Sequence, residues 1–349
     1  MTTNVLFIGD PHFQVTNVVE IDLFMEKIIN LATEKQPDII IIAGDLLHTH
    51  ERLHTTALNK AYDLVSNMKL IAPTYVLVGN HDYVNNSQFL TDNHWMNAMK
   101  EWKNTVIVDQ VLELNINKHK FIFVPYVPPG RFHEALNMGV KKWEDASCIW
   151  AHQEFYGCKM GAIVSVEGDK WDTNSPLVIS GHIHSKQSPQ PNIYYSGSAM
   201  QHAFGESEKN IIAYISFYQN SKYNIEEIDL SLPRKKIVYM DVEDIATYEV
   251  KNTEDQVKLT VSGNYEEFKA LKKSKEYKNI VDKGLKVVFK PKKSDKQNNA
   301  QSKYSEISSS NFGTILNTIV TEEKDPYLTQ SYELIVNGKE ISTDDVLFL

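Results

Sequence analysis

Cysteine is nearly missing from this chain: Cys148 and Cys158 are the only two in 349 residues. That excludes a disulfide-stapled secreted scaffold and points to a reducing compartment, although the two could pair with each other. Long apolar runs are missing as well. Nothing approaches the ~20 consecutive apolar residues of a membrane span. The N-terminus has no basic flank and no long apolar stretch, since Asp10 interrupts the run Val5-Leu6-Phe7-Ile8. Neither a signal peptide nor a membrane partner is expected, and the cytoplasm, of a host cell if the source is viral, is the default location. Internal repeats are lacking. Net positive charge is lacking too: the balance is −9, which argues against a simple nucleic-acid binder.

The positive charge that exists is concentrated. Eleven lysines fall between Lys269 and Lys296, against only Glu276, Asp282 and Asp295. Such a patch permits contact with a phosphate backbone; a solvated lysine-rich surface is an equal alternative. The hydrophobic fraction of 42% is ample for a core, and the length suits a main domain with an appendage.

The chain is organised around Pro37 to His50, where four consecutive isoleucines follow Asp38. A β-branched run apolar on both faces reads as a strand buried between layers, and Asp45 arrives where that strand leaves the sheet. Asn4–Gly9, Thr74–Val78, Ser147–Ala151 and Leu177–Ser180 read as further buried strands. Helical periods run through Glu20–Glu34, Glu51–Lys69 (with Leu53 on the apolar face) and Ser87–Trp102. Short strands are expected at Thr105–Val108, Val111–Ile116 and Lys120–Val124, and a short helix at Phe132–Met138. Asn192–Ser196, Asn210–Tyr218 and Tyr223–Leu230 read as strands completing a second sheet. The expected class is α/β, two sheets with helices outside. A boundary near Leu232-Pro233-Arg234 divides a main domain, 1–232, from a small appendage, 233–291. The segment 292–349 opens on a polar linker and then carries a short amphipathic helix, Phe312–Val320, a candidate docking segment.

Five polar clusters follow apolar strands: Asp10-Pro11-His12, Gly44-Asp45 with His48, Gly79-Asn80-His81-Asp82, Ala151-His152, and Gly181-His182-Ile183-His184. Singly each has a dull explanation, as a helix N-cap, a turn or a core histidine. Five in succession at strand ends are hard to assign to chance. The donors are Asp, Asn and His without thiolate, a set suited to Mn²⁺, Fe or Zn²⁺ in five- or six-coordinate geometry rather than to a structural zinc site. Asp45, on the central strand, is the natural carboxylate to bridge two ions.

These motifs resemble the calcineurin-like metallophosphoesterase family, whose pattern is D-x-H, GD, GNH(D/E), H and GHxH in that order. The resemblance runs from about Asn4 to Ile228 and implies a β-sandwich flanked by helices, a four-layer α-β-β-α arrangement with a small α+β capping domain. It implies one ion on Asp10, His12, Asp45 and His184, and a second on Asp45, Asn80, His152 and His182. His81 matches the catalytic histidine, with Asp82 orienting it and His48 contacting the phosphate or the leaving group. Within the family the chain looks most like the SbcD-type DNA nuclease subunits, through Gly44-Asp45 with His48, Tyr195-Ser196-Gly197-Ser198 and Phe204-Gly205-Glu206. That likeness implies a Mn²⁺-dependent endonuclease and 3′-to-5′ exonuclease in recombination or break repair. It also implies a homodimer through Glu51–Lys69 and Ser87–Trp102, and an SbcC-type coiled-coil ATPase partner bound by the C-terminal segment. The competing readings are a stand-alone phosphoesterase acting on small esters and a metal-keeping scaffold. His50, His54, His94, His119, His133 and His202 match no motif and are read as structural. Arg131, Lys170 and Trp171 could approach nucleic acid, but surface or core roles are preferred.

Overall fold

The computed structural model describes residues 2–50, 52–207, 209–219, 222–249, 254–292, 312–323 and 326–335. Four strands alternate with two helices from the N-terminus: β1 (Thr3–Ile8), α1 (Val18–Lys35), β2 (Ile39–Ile42), α2 (Thr55–Ile71), β3 (Thr74–Leu77) and β4 (Thr105–Val108). The second run comprises β5 (Leu112–Ile116), β6 (His119–Val124), α3 (Phe132–Gly139), β7 (Cys148–His152), a small hairpin of β8 (Lys159–Met160) and β9 (Ile163–Val164), β10 (Val178–Gly181), β11 (Gln187–Gln190) and β12 (Ile193–Tyr195). The chain then returns through β13 (Ile212–Phe217) and β14 (Tyr223–Ile228).

Two six-stranded sheets result, ordered β14-β13-β1-β2-β3-β4 and β11-β12-β10-β7-β6-β5. The four isoleucines of β2 explain the layering. Ile40 and Ile42 pack with Phe24 and Ile28 of α1 and Leu64 of α2. Ile39 and Ile41, on the opposite face of the pleat, pack with Phe121, Phe123 and Trp150 of the second sheet. The outer face of that sheet, Ile122, Val124 and Ile149, is covered by Phe132, Ala135 and Leu136 of α3. The order helix–sheet–sheet–helix is therefore set by strands apolar on both faces, and β1–β2–β3–β4 and β6–β7–β10–β12 all run parallel, so their carboxyl ends share one edge.

Some expectations are corrected. β13 and β14 join the first sheet rather than the second: β13 pairs antiparallel with β1, Thr3 opposite Phe217. Apolar alternation marks a strand but carries no address for its sheet. The helix expected over Ser87–Trp102 is one 3₁₀ segment, Trp95–Glu101. Upstream, Asn85 Oδ1 accepts from the Ser87 N–H at 3.0 Å and His94 Nδ1 from the Met96 N–H at 3.1 Å, local bonds that compete with a helix. Leu53 is exposed and precedes α2, whose N-cap is His54. The β8–β9 hairpin and β11 were not expected.

Beyond Arg234 lie β15 (Lys235–Asp241), β16 (Gln256–Gly263), α4 (Tyr265–Leu271), α5 (Lys275–Asp282) and β17 (Lys286–Pro291). They form a three-stranded parallel sheet, β15-β16-β17, with its own core of Val242, Ile245, Leu259, Val261, Phe268 and Ile280. α6 (Phe312–Glu323) and α7 (Pro326–Ile335) lie against each other. The expected linker falls, beyond Lys292, outside the described residues, as does everything after Ile335. Among the described residues no helix is long and apolar enough to cross a membrane.

Candidate metal centre

The shared edge of carboxyl ends is where open α/β sheets place ligands. Gly9-Asp10 follows β1, Gly44-Asp45 follows β2, Gly79-Asn80 follows β3, His152 ends β7 and His182 follows β10. The loops are tightly wound there. Asp10, His12, Asp45 and His182 have φ of 39°, 45°, 50° and 79°, a left-handed backbone that side-chain-bearing residues adopt only when the surroundings enforce it. Gly79 makes the approach possible: a Cβ on it would lie 2.2 Å from Asp45 Oδ1 and 2.4 Å from the Asp45 nitrogen.

The donors from the five clusters meet in one place. Asp45 Oδ2 lies 3.3 Å from His12 Nε2 and 3.4 Å from His152 Nε2, between two groups. On one side Asn80 Oδ1 is 3.0 Å from both His152 Nε2 and His182 Nδ1. On the other, His12 Nε2 is 2.9 Å from His184 Nε2. Asp10 joins them: its Oδ1 accepts from the His182 N–H at 2.8 Å and lies 3.5 Å from His152 Nδ1. Ligand atoms of Asp45, His152 and His182 lie within 4.8 Å of one another, as do those of His12, Asp45 and His81.

This donor set fits divalent cations. Asp10 Oδ2 and His12 Nδ1 are buried and have no hydrogen-bond partner, a costly state for a carboxylate without compensating charge. His152 donates Nδ1–H to the Ala43 carbonyl at 2.7 Å, so in its neutral form the bare Nε2 faces two oxygen acceptors, Asn80 Oδ1 and Asp45 Oδ2. Lone pairs converging from nitrogen and oxygen are what a borderline divalent ion takes. Burial and the crowding of charge act on the same groups. Burial pushes Asp10 up to about 6, against the pull of His152 and His184. Burial and the neighbouring Asp45 carboxylate push Asp82 up to about 7. Burial also opposes Asp45 ionising, yet the imidazoles of His152 and His12 hold it well below the usual carboxylate range. His152 rises to about 9, the Asp45 carboxylate overcoming burial, whereas burial takes His182 down to about 3.

His81 sits at the half-buried rim. Its Nδ1–H donates to the His48 carbonyl at 2.7 Å, and among the described residues Nε2 makes no hydrogen bond. Burial lowers its pKa, with Asp45 opposing. The expected orienting role of Asp82 is corrected here. The Asp82 carboxylate accepts from the Gly79 N–H at 3.0 Å, the Leu46 N–H at 3.2 Å and Trp95 Nε1–H at 3.0 Å. It ties the β2 and β3 loops together, and the His48 backbone orients His81. The His48 ring is stacked with His81 at 5.8 Å and edge-on to His12 at 5.4 Å.

Three residues at the site carried no functional reading. His50 stacks on His81 with centroids 4.7 Å apart and planes 13° apart; its place two residues after His48 was the only signal. His202, buried, donates Nε2–H to the Asp10 carbonyl at 2.9 Å. Glu206 reaches His184 Nδ1 at 3.3 Å; the Phe204-Gly205-Glu206 likeness included it but assigned it no contact with a metal donor. The remaining histidines lie elsewhere: His94 against Asp109, His133 stacked on Trp171, His54 at the α2 N-cap, His119 beside Phe121. Arg131 pairs with Glu134 and covers the Phe89 ring, Lys170 lies over the Tyr156 ring, and Trp171 is core packing. Cys148 and Cys158 are buried free thiols, unpaired.

A family profile described as calcineurin-like phosphoesterase matches residues 3–186. The chain is 50% identical over 296 residues to the provisionally named phosphoesterase 078R of Invertebrate iridescent virus 3, covering 83% of this chain and 85% of that one. It is 52% identical over 277 residues to the provisionally named phosphoesterase 244L of Invertebrate iridescent virus 6, covering 78% of this chain and 98% of that one. Among solved structures, Yfce, a phosphoesterase from E. coli, aligns at 12% identity with a TM-score of 0.32, covering 66% of this chain and 94% of that one. GAP50 of Plasmodium, described as the anchor in the inner membrane complex, aligns at 11% identity with a TM-score of 0.41, covering 66% of this chain and 85% of that one. Likenesses of that size carry no functional inference.

Proposed function

Because the chain belongs to the calcineurin-like phosphoesterase family, and is thus a metal-dependent hydrolase of phosphoesters, we propose that its substrate is DNA and its working metal Mn²⁺. In this reading one ion is held by Asp10, His12, Asp45 and His184, the other by Asp45, Asn80, His152 and His182. Bound there, the cations supply Lewis acidity to the phosphate and lower the pKa of water. The protein's own groups do the rest. Asp45, anchored through the His81 N–H to Oδ1 at 2.8 Å, keeps Oδ2 between the two groups of donors. His81, with Nδ1–H committed to the His48 carbonyl, moves a proton at Nε2, giving it to the leaving oxygen when protonated there. His48 and His50 flank that ring and line the approach of the phosphate.

The observation that carries the DNA reading is the position of the lysine-rich domain. The described lysines from Lys269 to Lys292 are all exposed, and the domain bearing them docks on the loop that reaches His184, through Lys235 and Gln201. Sequence-independent phosphate contact on a domain that docks on a loop of the metal centre suits a nuclease, and a small-ester enzyme has no use for it. Endonuclease and 3′-to-5′ exonuclease action in recombination or break repair belongs to the same proposal. So do a homodimer through α2 and residues 87–102, an SbcC-type ATPase bound by the C-terminal segment, and action in the host cytoplasm, the last supported by the viral relatives.

The test mixes purified protein, Mn²⁺ and labelled linear DNA, with a chromogenic bis-phosphoester in parallel. Shortening or nicking of the DNA, falling steeply with added salt, is the expected result. Hydrolysis of the small ester alone, even with an ATPase partner present, would establish a stand-alone phosphoesterase instead.

A further inference from the structure

The loop after β12 lies against the Asp10, His12 and His184 side of the metal centre. Glu206 Oε2 accepts from the His202 N–H at 2.8 Å and the Ala203 N–H at 2.9 Å, so the carboxylate is fixed by its own loop. Its other oxygen meets His184 Nδ1 at 3.3 Å, and His184 Nε2 points at His12. The same loop is gripped from the far side by the 233–291 domain. Gln201 Oε1 accepts from the Lys235 N–H at 2.7 Å, while its Nε2 donates to the Lys235 carbonyl at 3.2 Å and to the Glu206 carbonyl at 3.3 Å. Lys235 Nζ donates to the Gln201 carbonyl at 3.1 Å, and Lys258 Nζ lies 4.8 Å from the Phe204 ring centre. One short segment therefore touches a metal donor with one residue and the neighbouring domain with two others.

We propose that Glu206 is a positioning residue that holds the His184 imidazole toward one of the two cation positions, and that its loop couples the docking of the 233–291 domain to that position alone. The proposal rests on the two-cation reading above. A carboxylate on the far nitrogen of a ligating histidine sets its tautomer, its ring orientation and its basicity. Here that carboxylate belongs to a segment whose place depends on a separate domain, so a macromolecule that shifts the domain retunes one ion and leaves its neighbour, held by Asn80, His152 and His182, untouched.

Calorimetric titration of the full chain with Mn²⁺ alone tests this. Glu206→Gln keeps an oxygen for the His202 and Ala203 N–H groups and removes the charge facing His184. It is expected to weaken one of two binding events by ~10–100-fold, leaving the second event and the melting temperature of the metal-free protein as they were. Lys258→Ala should weaken the same event less, and add nothing once Glu206 is already substituted, because both act through one loop. Wild-type affinity for both ions in Glu206→Gln overturns the proposal and leaves the two-cation reading standing. Independent, additive losses overturn the coupling to the domain. An unsubstituted chain that binds no Mn²⁺ overturns both readings at once.

Discussion

The two halves of the metal centre are held by different parts of the molecule. Asn80, His152 and His182 come directly off β3, β7 and β10, and His152 is pinned to the Ala43 carbonyl at 2.7 Å. Their positions follow from the packing of two sheets whose central strands are fully buried. His12 and His184 bring their Nε2 atoms to 2.9 Å of each other, and His184 leans on Glu206, whose loop is in turn clasped by the appended domain. The first half is tied to the buried strands of the core. The second is conditional, and conditional parts are where regulation enters.

Substitutions at Asp45 and His182 give the largest effects and bear hardest on this contrast. Asp45→Ala removes the carboxylate both halves share; metal-dependent hydrolysis should fall to background and Mn²⁺ binding at both positions should be lost. His182→Ala should also abolish hydrolysis but leave one ion bound, a stoichiometry readable by elemental analysis. Equal stoichiometry in the two variants would break the division into halves. His81→Ala comes next: both ions stay, and turnover drops ~10²–10⁴-fold in a DNA cleavage assay.

Metal itself should stabilise the fold. Mn²⁺ at a hundred times its dissociation constant raises the unfolding free energy by about 2.7 kcal/mol per site, and Glu206→Gln should gain visibly less than wild type in thermal melts at the same concentration. The smallest effect is expected far from the ions. Burial would raise the pKa of Asp109, but His94 and Lys100 hold it below the ordinary carboxylate value. A carboxyl depressed on folding adds stability above its unfolded pKa of ~3.9 and gives it up as pH falls through the folded value. Asp109→Asn should remove about 1 kcal/mol or less, given its partly exposed partner, narrow the stability gap to wild type in acid, and leave Mn²⁺ affinity unchanged.

Much of this arrangement was legible because the informative residues follow buried strands without an intervening loop. Ile39–Ile42 announces both the layering and the place where Asp45 must emerge, and the same logic puts Asp10, Asn80, His152 and His182 on one edge. What escaped is carried by contacts between segments far apart in sequence. Asp82 stands next to His81 and so suggests a partnership, but the fold turns it toward Gly79, Leu46 and Trp95. β13 and β14 have unambiguous strand patterns, yet their sheet is decided by pairing with a strand some two hundred residues earlier. Glu206 lies in the Phe204-Gly205-Glu206 match, which gave it no role at the ions; only the folded chain brings it to His184.

The most direct test of the central claim is the anomalous scattering of crystals grown with Mn²⁺. Two peaks are predicted, flanking Asp45 Oδ2: one among Asn80, His152 and His182, the other between His12 and His184. A single peak, or manganese bound away from Asp45, would contradict a centre built from two halves around one shared carboxylate.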